Sequence, residues 1–174
     1  VNGSVDDVHI SGMAASKLTG ALPAIDGGAL TGNVGKVLQV VSYVHTAVVS
    51  TSSTSYVTMY GATITPKSAT SKILVRAVVG GLYMNISGSN QSNWRLARGT
   101  VGCTNQATNY HTETARNLTA AGTRAYINME ILDSPATTSA TTYNVQAERH
   151  TGSGAFHIND TSATSVITLM EIAQ

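Results

Sequence analysis

The segment Ser16-Lys17-Leu18-Thr19-Gly20-Ala21-Leu22-Pro23-Ala24-Ile25-Asp26-Gly27-Gly28-Ala29-Leu30-Thr31-Gly32 states a Leu-Thr-Gly unit twice, twelve residues apart. A looser version, Ile10-Ser11-Gly12, precedes the first copy by eight residues. Single apolar residues stand among Gly, Ala, Ser and Thr, and Pro23 falls between the two copies. The segment lacks helical periodicity, and its glycines and proline disfavour a long helix. It therefore cannot bury its own leucines. Leu18, Leu22, Ile25 and Leu30 would be sheltered if identical chains ran side by side and set them on a shared axis. A repeat that cannot bury its apolar face alone marks a fibrous or stacked assembly. The expectation is an oligomer, and a fibre.

At 174 residues the chain holds one good core, or one core plus an extension. Charged residues make up 11% and the formal net charge is +1. Ten scattered Lys and Arg cannot build the basic face that nucleic acid demands, so no nucleic-acid partner is expected. Ser and Thr supply about a quarter of the chain, a composition suited to strands, turns and a hydrated, weakly charged surface. Low net charge favours association, which a committed symmetric assembly tolerates. Cys103 is the only cysteine, so one chain can form neither an intrachain disulfide nor a cysteine-based zinc site. No run of eighteen apolar residues and no signal-peptide pattern is present, so no membrane insertion is expected. The first residue is Val1 rather than Met, which fits a processed chain or, better, the end of a longer protein.

Residues 1–34 form the extension; from Lys36 the texture changes. Lys36–Val44 is rich in β-branched residues and lacks a helix cap, so it reads as a strand. Ser50–Ser55 reads as a polar turn, and Tyr56–Thr65 as a second strand ending at Pro66. Ile73–Val79 is the strongest strand, with Ile73, Val75, Ala77 and Val79 on one face and Arg76 on the other. Gly80-Gly81 predicts a bulge before the run continues through Tyr83 and Met84. Asn85–Ser92 reads as a polar loop, Trp94–Gly99 as a strand, and Thr100–Thr123 as the longest loop region. Ala125–Leu132, Thr142–His150, Ala155–Ile158 and Ser165–Ile172 complete the set, with Asp133-Ser134-Pro135 and Asn159-Asp160 as turns. About eight strands at even spacing and no convincing helix predict an all-β, antiparallel sandwich of jelly-roll type. Strand count alone leaves an immunoglobulin-like sandwich open, although its Cys…Trp…Cys pattern is absent.

Leu18-Thr19-Gly20-Ala21-Leu22-Pro23-Ala24-Ile25-Asp26-Gly27, followed by Gly35-Lys36-Val37-Leu38-Gln39-Val40, resembles the ends of tailed-bacteriophage fibre proteins, where a slender stem meets a globular head. The head carries Ile64-Thr65-Pro66-Lys67-Ser68-Ala69-Thr70-Ser71-Lys72-Ile73-Leu74-Val75, Leu132-Asp133-Ser134-Pro135 with Tyr143 eight residues later, and the closing Ser165–Ile172. The resemblance covers nearly the whole chain. It implies a trimeric stem over 1–34, with Leu18, Leu22, Ile25 and Leu30 facing the three-fold axis. It also implies a head over 35–174 similar to the tumour-necrosis-factor-like jelly rolls, which are homotrimers. The implied setting is a virion, as a tail or appendage fibre, extracellular when mature. The implied partners are further copies of the chain, other tail proteins on the N-terminal side, and a glycan or protein of the host surface.

Catalysis is not expected. No Gly-x-Ser-x-Gly elbow is present, Gly152-Ser153-Gly154 reads as a hairpin turn, and none of the nine carboxylates forms a close motif. Asp133 and Asp160 fall at turns, where Asp is structurally expected. The histidines at 9, 45, 111, 150 and 157 lack metal-ligand spacing, and His111-Thr112-Glu113 offers no third ligand. One histidine repeated on a three-fold axis is the remaining route to a metal. No cofactor is implied. Trp94 reads as core, and Met59, Met129 and Met170 as packing residues. For receptor contact the candidates are Tyr83, Asn90, Gln91, Arg95, Tyr110 and His111, aromatic and hydrogen-bonding groups in or beside polar stretches.

Two placements follow. Lys36–Tyr43 and Ser165–Ile172 should be sheet neighbours, returning the C-terminus towards the stem. Either Asn85–Asn93 or Thr100–Thr123 should lie at the tip remote from it. Host attachment by a trimeric fibre is the leading function. The alternatives are a collar fibre, head decoration or capping knob without a receptor, a non-viral oligomeric carbohydrate-binding module, and a depolymerase fragment.

Overall fold

A computed structural model describes residues 36–84, 91–103 and 124–174 of the chain. The segment read as a stem, with Leu18, Leu22, Ile25 and Leu30, lies outside the described residues, as do Asn90, Tyr110 and His111. In chain order the strands are β1 (Val37–His45), β2 (Val49–Thr51), β3 (Val57–Ile64), β4 (Lys72–Met84) and β5 (Gln91–Arg98). They continue with β6 (Val101–Gly102), β7 (Arg124–Asp133), β8 (Thr141–Thr151), β9 (Phe156–Ile158) and β10 (Ser165–Ile172).

All the pairings are antiparallel, and they build two sheets. The first runs β1-β10-β4-β7, with β9 and β2 continuing past the end of β10. The second runs β3-β8-β5-β6. Setting aside the short β2 and β9, the first sheet joins the first, eighth, third and sixth strands, and the second joins the second, seventh, fourth and fifth. That order is a double Greek key, the jelly roll. An immunoglobulin-like sandwich would instead place its first and second strands side by side.

β1 pairs with β10 along its length, from Val37 opposite Ile172 to His45 opposite Ser165, as the sequence predicts. Ala173 N–H donates to the Lys36 carbonyl at 2.9 Å, so the two ends of this unit adjoin.

Period-two alternation decides which side chains meet between the sheets. From β4 these are Ile73, Val75, Ala77 and Val79, from β10 Ile167 and Leu169, and from β7 Ile127 and Met129, all buried. The second sheet answers with Trp94, Leu96, Tyr143 and Val145. Trp94 is core, its ring 5.4 Å from that of Phe156, and its indole N–H donates to Ser92 Oγ at 2.8 Å. A buried indole needs such an acceptor.

The Gly80-Gly81 bulge is present, with a register shift between Val79 and Leu82. Gly81 has φ +56°, and a Cβ on Gly80 would strike the Thr164 carbonyl, so neither position accepts a side chain without movement. Asn159, in the left-handed region at φ 59°, closes the space beside it. Its N–H donates to the Gly80 carbonyl at 2.9 Å, and its side-chain amide donates to the carbonyls of His45 and Ala47 at 2.9 and 2.8 Å. Its Oδ1 accepts from the Ser165 hydroxyl at 2.7 Å, and that hydroxyl oxygen accepts from Gly80 N–H. This buried asparagine is fully used, tying β1, β4 and β10 at one end of the sandwich.

Several sequence expectations change. Val49–Thr51 is a strand rather than the start of a turn, because β9 supplies a partner for it. The polar stretch after Met84 ends sooner than its composition suggests: Gln91 and Ser92 pair with β8. Gly152-Ser153-Gly154 is not a hairpin turn, since β8 and β9 belong to different sheets. Asp133 is not a solvated turn residue but a buried strand end. Met59 and Met129 are core, whereas Met170 lies on the outer face of β10.

Candidate functional site

The outer face of the first sheet is the candidate site, and it is built from the other parity of the same strands. Register places Val40, Met170, Leu74 and Leu132 in one row across β1, β10, β4 and β7. The next row is Ser42, Thr168, Arg76 and Glu130, and the one beyond is Val44, Val166, Val78 and Asn128. Val37 with Ile172, and Tyr126, extend the face at its two ends. Two apolar rows thus enclose a polar row in which Arg76 and Glu130 are register partners on adjacent strands, both exposed.

Exposure on this face is large for aliphatic residues. Val40 retains 56% of its surface, Val44 53%, Val37 49%, Leu132 41% and Tyr126 66%. A scattered exposed leucine needs no explanation, whereas a contiguous apolar patch marks an interaction surface. β1 sharpens the point. It is an edge strand of nine residues, Val-Leu-Gln-Val-Val-Ser-Tyr-Val-His, with no proline and no Lys, Arg, Asp or Glu. Edges of soluble proteins are normally guarded by charge, proline or bulges; here only a register shift between Val37 and Gln39 serves that purpose.

The outer face of the second sheet has the opposite chemistry. Gly61, Asn144 and Ala97 form one row, and Thr58, Gln146 and Arg95 another. Arg95 lies over the Tyr56 ring, its guanidinium carbon 3.9 Å from the centroid. Its Nε donates to Gln146 Oε1 at 2.8 Å and its Nη2 to the Thr100 carbonyl at 3.2 Å. Asn93 Nδ2 donates to Glu148 Oε1 at 3.0 Å and lies 3.3 Å from His150 Nδ1. The Tyr56 hydroxyl is pushed above its ordinary value, first by burial and then by Glu148, against the opposing pull of Arg95.

Of the sequence-derived receptor candidates, Tyr83, Gln91 and Arg95 fall among the described residues. Arg95 is committed to Tyr56, Gln146 and Thr100 within its own sheet. Tyr83 lies at the far end of β4 in the first sheet, its ring 6.2 Å from that of His157. Gln91 lies opposite Thr151 in the second sheet. Met84 and Gln91, which flank 85–90, lie at the end opposite Lys36; Thr100 follows Arg98 at the end where Asp133 sits. Composition reading missed the apolar face, yet β4 carried its signal. Ile73-Leu74-Val75-Arg76-Ala77-Val78-Val79 is apolar at both parities, the pattern of a strand covered on two sides.

Among the described residues no group of three His, Cys, Asp or Glu is placed to hold a metal ion. Asp133 Oδ2 accepts from the Tyr143 hydroxyl at 2.6 Å and from Arg98 Nη1 at 3.2 Å, bridging the sheets. The Tyr143 hydroxyl is raised in pKa, first by burial and then by Asp133. Burial and the same carboxylate push the Cys103 thiol up to about 11. These groups form a structural bridge, each engaged with its neighbours.

No family model and no curated protein matches the chain. Among solved structures, T=1 particles derived from infectious bursal virus match at 11% identity and a TM-score of 0.39, over 90% of this chain and 41% of that one. The Gx strain of infectious bursal disease virus matches at 13% identity and a TM-score of 0.35, over 79% and 38%. The VP2 subviral particle of infectious bursal disease virus matches at 11% identity and a TM-score of 0.36, over 79% and 38%. The chain spans about two fifths of the length of these solved chains. Likeness at this level carries no argument about role.

Proposed function

We propose that this chain is the stem-and-head end of a trimeric tailed-bacteriophage fibre, a virion structural protein whose head attaches the particle to the host surface. The observation that carries the reading is the apolar outer face of the β1-β10-β4-β7 sheet, with β1 as its unguarded edge. A fibre head on a three-fold axis must give one sheet to its copies, and this sheet has the surface for that duty. Covering apolar area stabilises by ~25 cal/mol per Å2, so a half-exposed valine contributes on the order of 1 kcal/mol when a neighbour covers it. The Leu-Thr-Gly repeat supports the same arrangement from the other side of Lys36. Three copies per fibre and several fibres per particle would raise weak single-site contacts to useful avidity.

Two measurements test the reading. Light scattering on the full chain should give three times the chain mass, and a monomer or a dimer would overturn the assembly. Labelled protein should bind host cells and fail to bind a resistant mutant; equal binding to both would remove the receptor role. A second reading, a fibre cap without a receptor, is favoured by the engagement of Arg95 with Tyr56, Gln146 and Thr100 within its own sheet.

A further inference from the structure

At the end of the sandwich nearest Lys36, the inner face of the first sheet finishes in a row of four residues, Gln39 on β1, Glu171 on β10, Ile73 on β4 and Asp133 on β7. Both carboxylates are buried, Glu171 completely, and buried charge requires compensation. Asp133 has the Arg98 guanidinium. Glu171 is held by neutral donors instead. Its Oε1 accepts the backbone N–H groups of Lys67 at 2.8 Å and Ser68 at 3.2 Å, and its Oε2 accepts Gln39 Nε2 at 2.6 Å. The same Gln39 amide donates to the Thr65 carbonyl at 2.7 Å. One carboxylate therefore ties together the first half of β1, the loop from β3 to β4, and the last strand.

Among the described residues no cation shares this duty. The Lys67 amine reaches the Leu38 carbonyl at 3.1 Å, which is a second tie between the same loop and β1. Lys36 is exposed, and Lys72 is half-buried on the outer parity of β4. Asp133 lies beyond Ile73 with its own partners, and His45 lies at the other end of β1. Protonating Glu171 would cost it acceptor capacity against donors that cannot turn away, because two of them are backbone N–H groups.

We propose that Glu171 is an acid-sensitive clasp: its ionised carboxylate holds the first half of β1 and the 65–71 loop to the sandwich, and protonation frees that corner while the core stays folded. β1 is the first strand among the described residues. Burial by itself would raise the Glu171 pKa. The hydrogen bonds from Gln39, Lys67 and Ser68 outweigh it and hold the carboxyl below its ordinary 4.5. The folded value is depressed, so the clasp is at full strength above the unfolded value and is lost as pH falls through the folded one. The window of opening lies below pH 4.5. The inference is independent of the assembly reading, because it concerns one corner of one chain.

Hydrogen exchange on the full chain, corrected for the intrinsic pH dependence, tests it. Below the carboxyl range, amides in 37–41 and 67–71 should lose protection at least ~10-fold more than those in 73–79, which report the core. The near-UV signal of Trp94 should hold through that first change. Simultaneous loss at both places would overturn the clasp. Gln39→Leu removes one neutral donor from a half-exposed site and should move the opening to higher pH; an unmoved midpoint would also overturn it. Glu171→Gln, where it folds by the Trp94 signal, should leave the corner open at pH 7 and remove its pH dependence. A corner still protected in that variant would refute the proposal.

Discussion

The two outer faces of this sandwich come from strands of similar length with the same alternation, yet they meet water in opposite ways. Across β3, β8 and β5 the outward positions are Thr58, Gly61, Asn144, Gln146, Arg95 and Glu148, joined by hydrogen bonds and a cation–π contact. Across β1, β10, β4 and β7 they are mainly Val, Met, Leu and Tyr, broken by the row through Arg76 and Glu130 and by Asn128 and Lys72 towards the two ends. The second sheet is finished within one chain. The first has an inner core and an outer face of similar composition, the state of a sheet awaiting a cover. One fold can thus carry a completed surface and an incomplete one, and the incomplete one points to assembly.

The largest expected effect is that of a charge placed on the incomplete face. Met170→Glu sets a carboxylate between Val40 and Leu74, where a neighbouring copy would have to bury it. A penalty of ~3 kcal/mol weakens association by about two orders of magnitude, and a closed trimer meets it at every interface. Sedimentation should show monomers with an unchanged far-UV spectrum. Thr142→Glu, the matching charge on the completed face, should leave the proposed trimer intact. If both variants behave alike, the distinction between the faces is wrong.

A smaller contrast separates the two arginines. Arg95→Ala removes the contact over Tyr56 and the bond to Gln146, for a loss of about 1–2 kcal/mol in folding stability and no change in oligomeric state. Arg76→Ala should do the reverse. It should shift association, while in the monomeric Met170→Glu background its effect on denaturant midpoint stays within ~0.5 kcal/mol, as for an ordinary surface position. Urea titration of each variant at two protein concentrations reads both effects. An Arg76 variant that is destabilised as a monomer would place that residue in the fold rather than in the assembly.

How far this was legible in the sequence depends on the kind of order involved. Strand alternation is local, so β4 and the bounds of β10 could be read from Ile73–Val79 and Ser165–Ile172 directly. The pairing of β1 with β10 followed from closing a jelly roll. What escaped was order imposed from a distance. Val49–Thr51 is a strand only because Phe156–Ile158 lies beside it, and Asp133 looked like a turn residue because Arg98 and Tyr143 arrive from elsewhere in the chain. Glu171, the last charge before the C-terminus, gave no local sign that a loop a hundred residues earlier would close over it. The apolar face was visible in principle, as hydrophobic residues at both parities of β1 and β4. Its exposure was not, because burial depends on the partner sheet.

The smallest effect expected is an absence of change. Cys103 lies under the second sheet, and its N–H donates to the Leu96 carbonyl at 3.3 Å. With its thiol pushed to about 11, only on the order of one molecule in ten thousand carries the reactive thiolate at pH 7. Alkylation should therefore be roughly 100-fold slower than for an unperturbed thiol, and complete only after denaturation. Because this thiol belongs to the finished side of the molecule, its rate should be the same in the proposed trimer and in Met170→Glu protein. A rate that rises on dissociation would mean that the cover reaches the second sheet too, and the two faces would no longer divide fold from assembly.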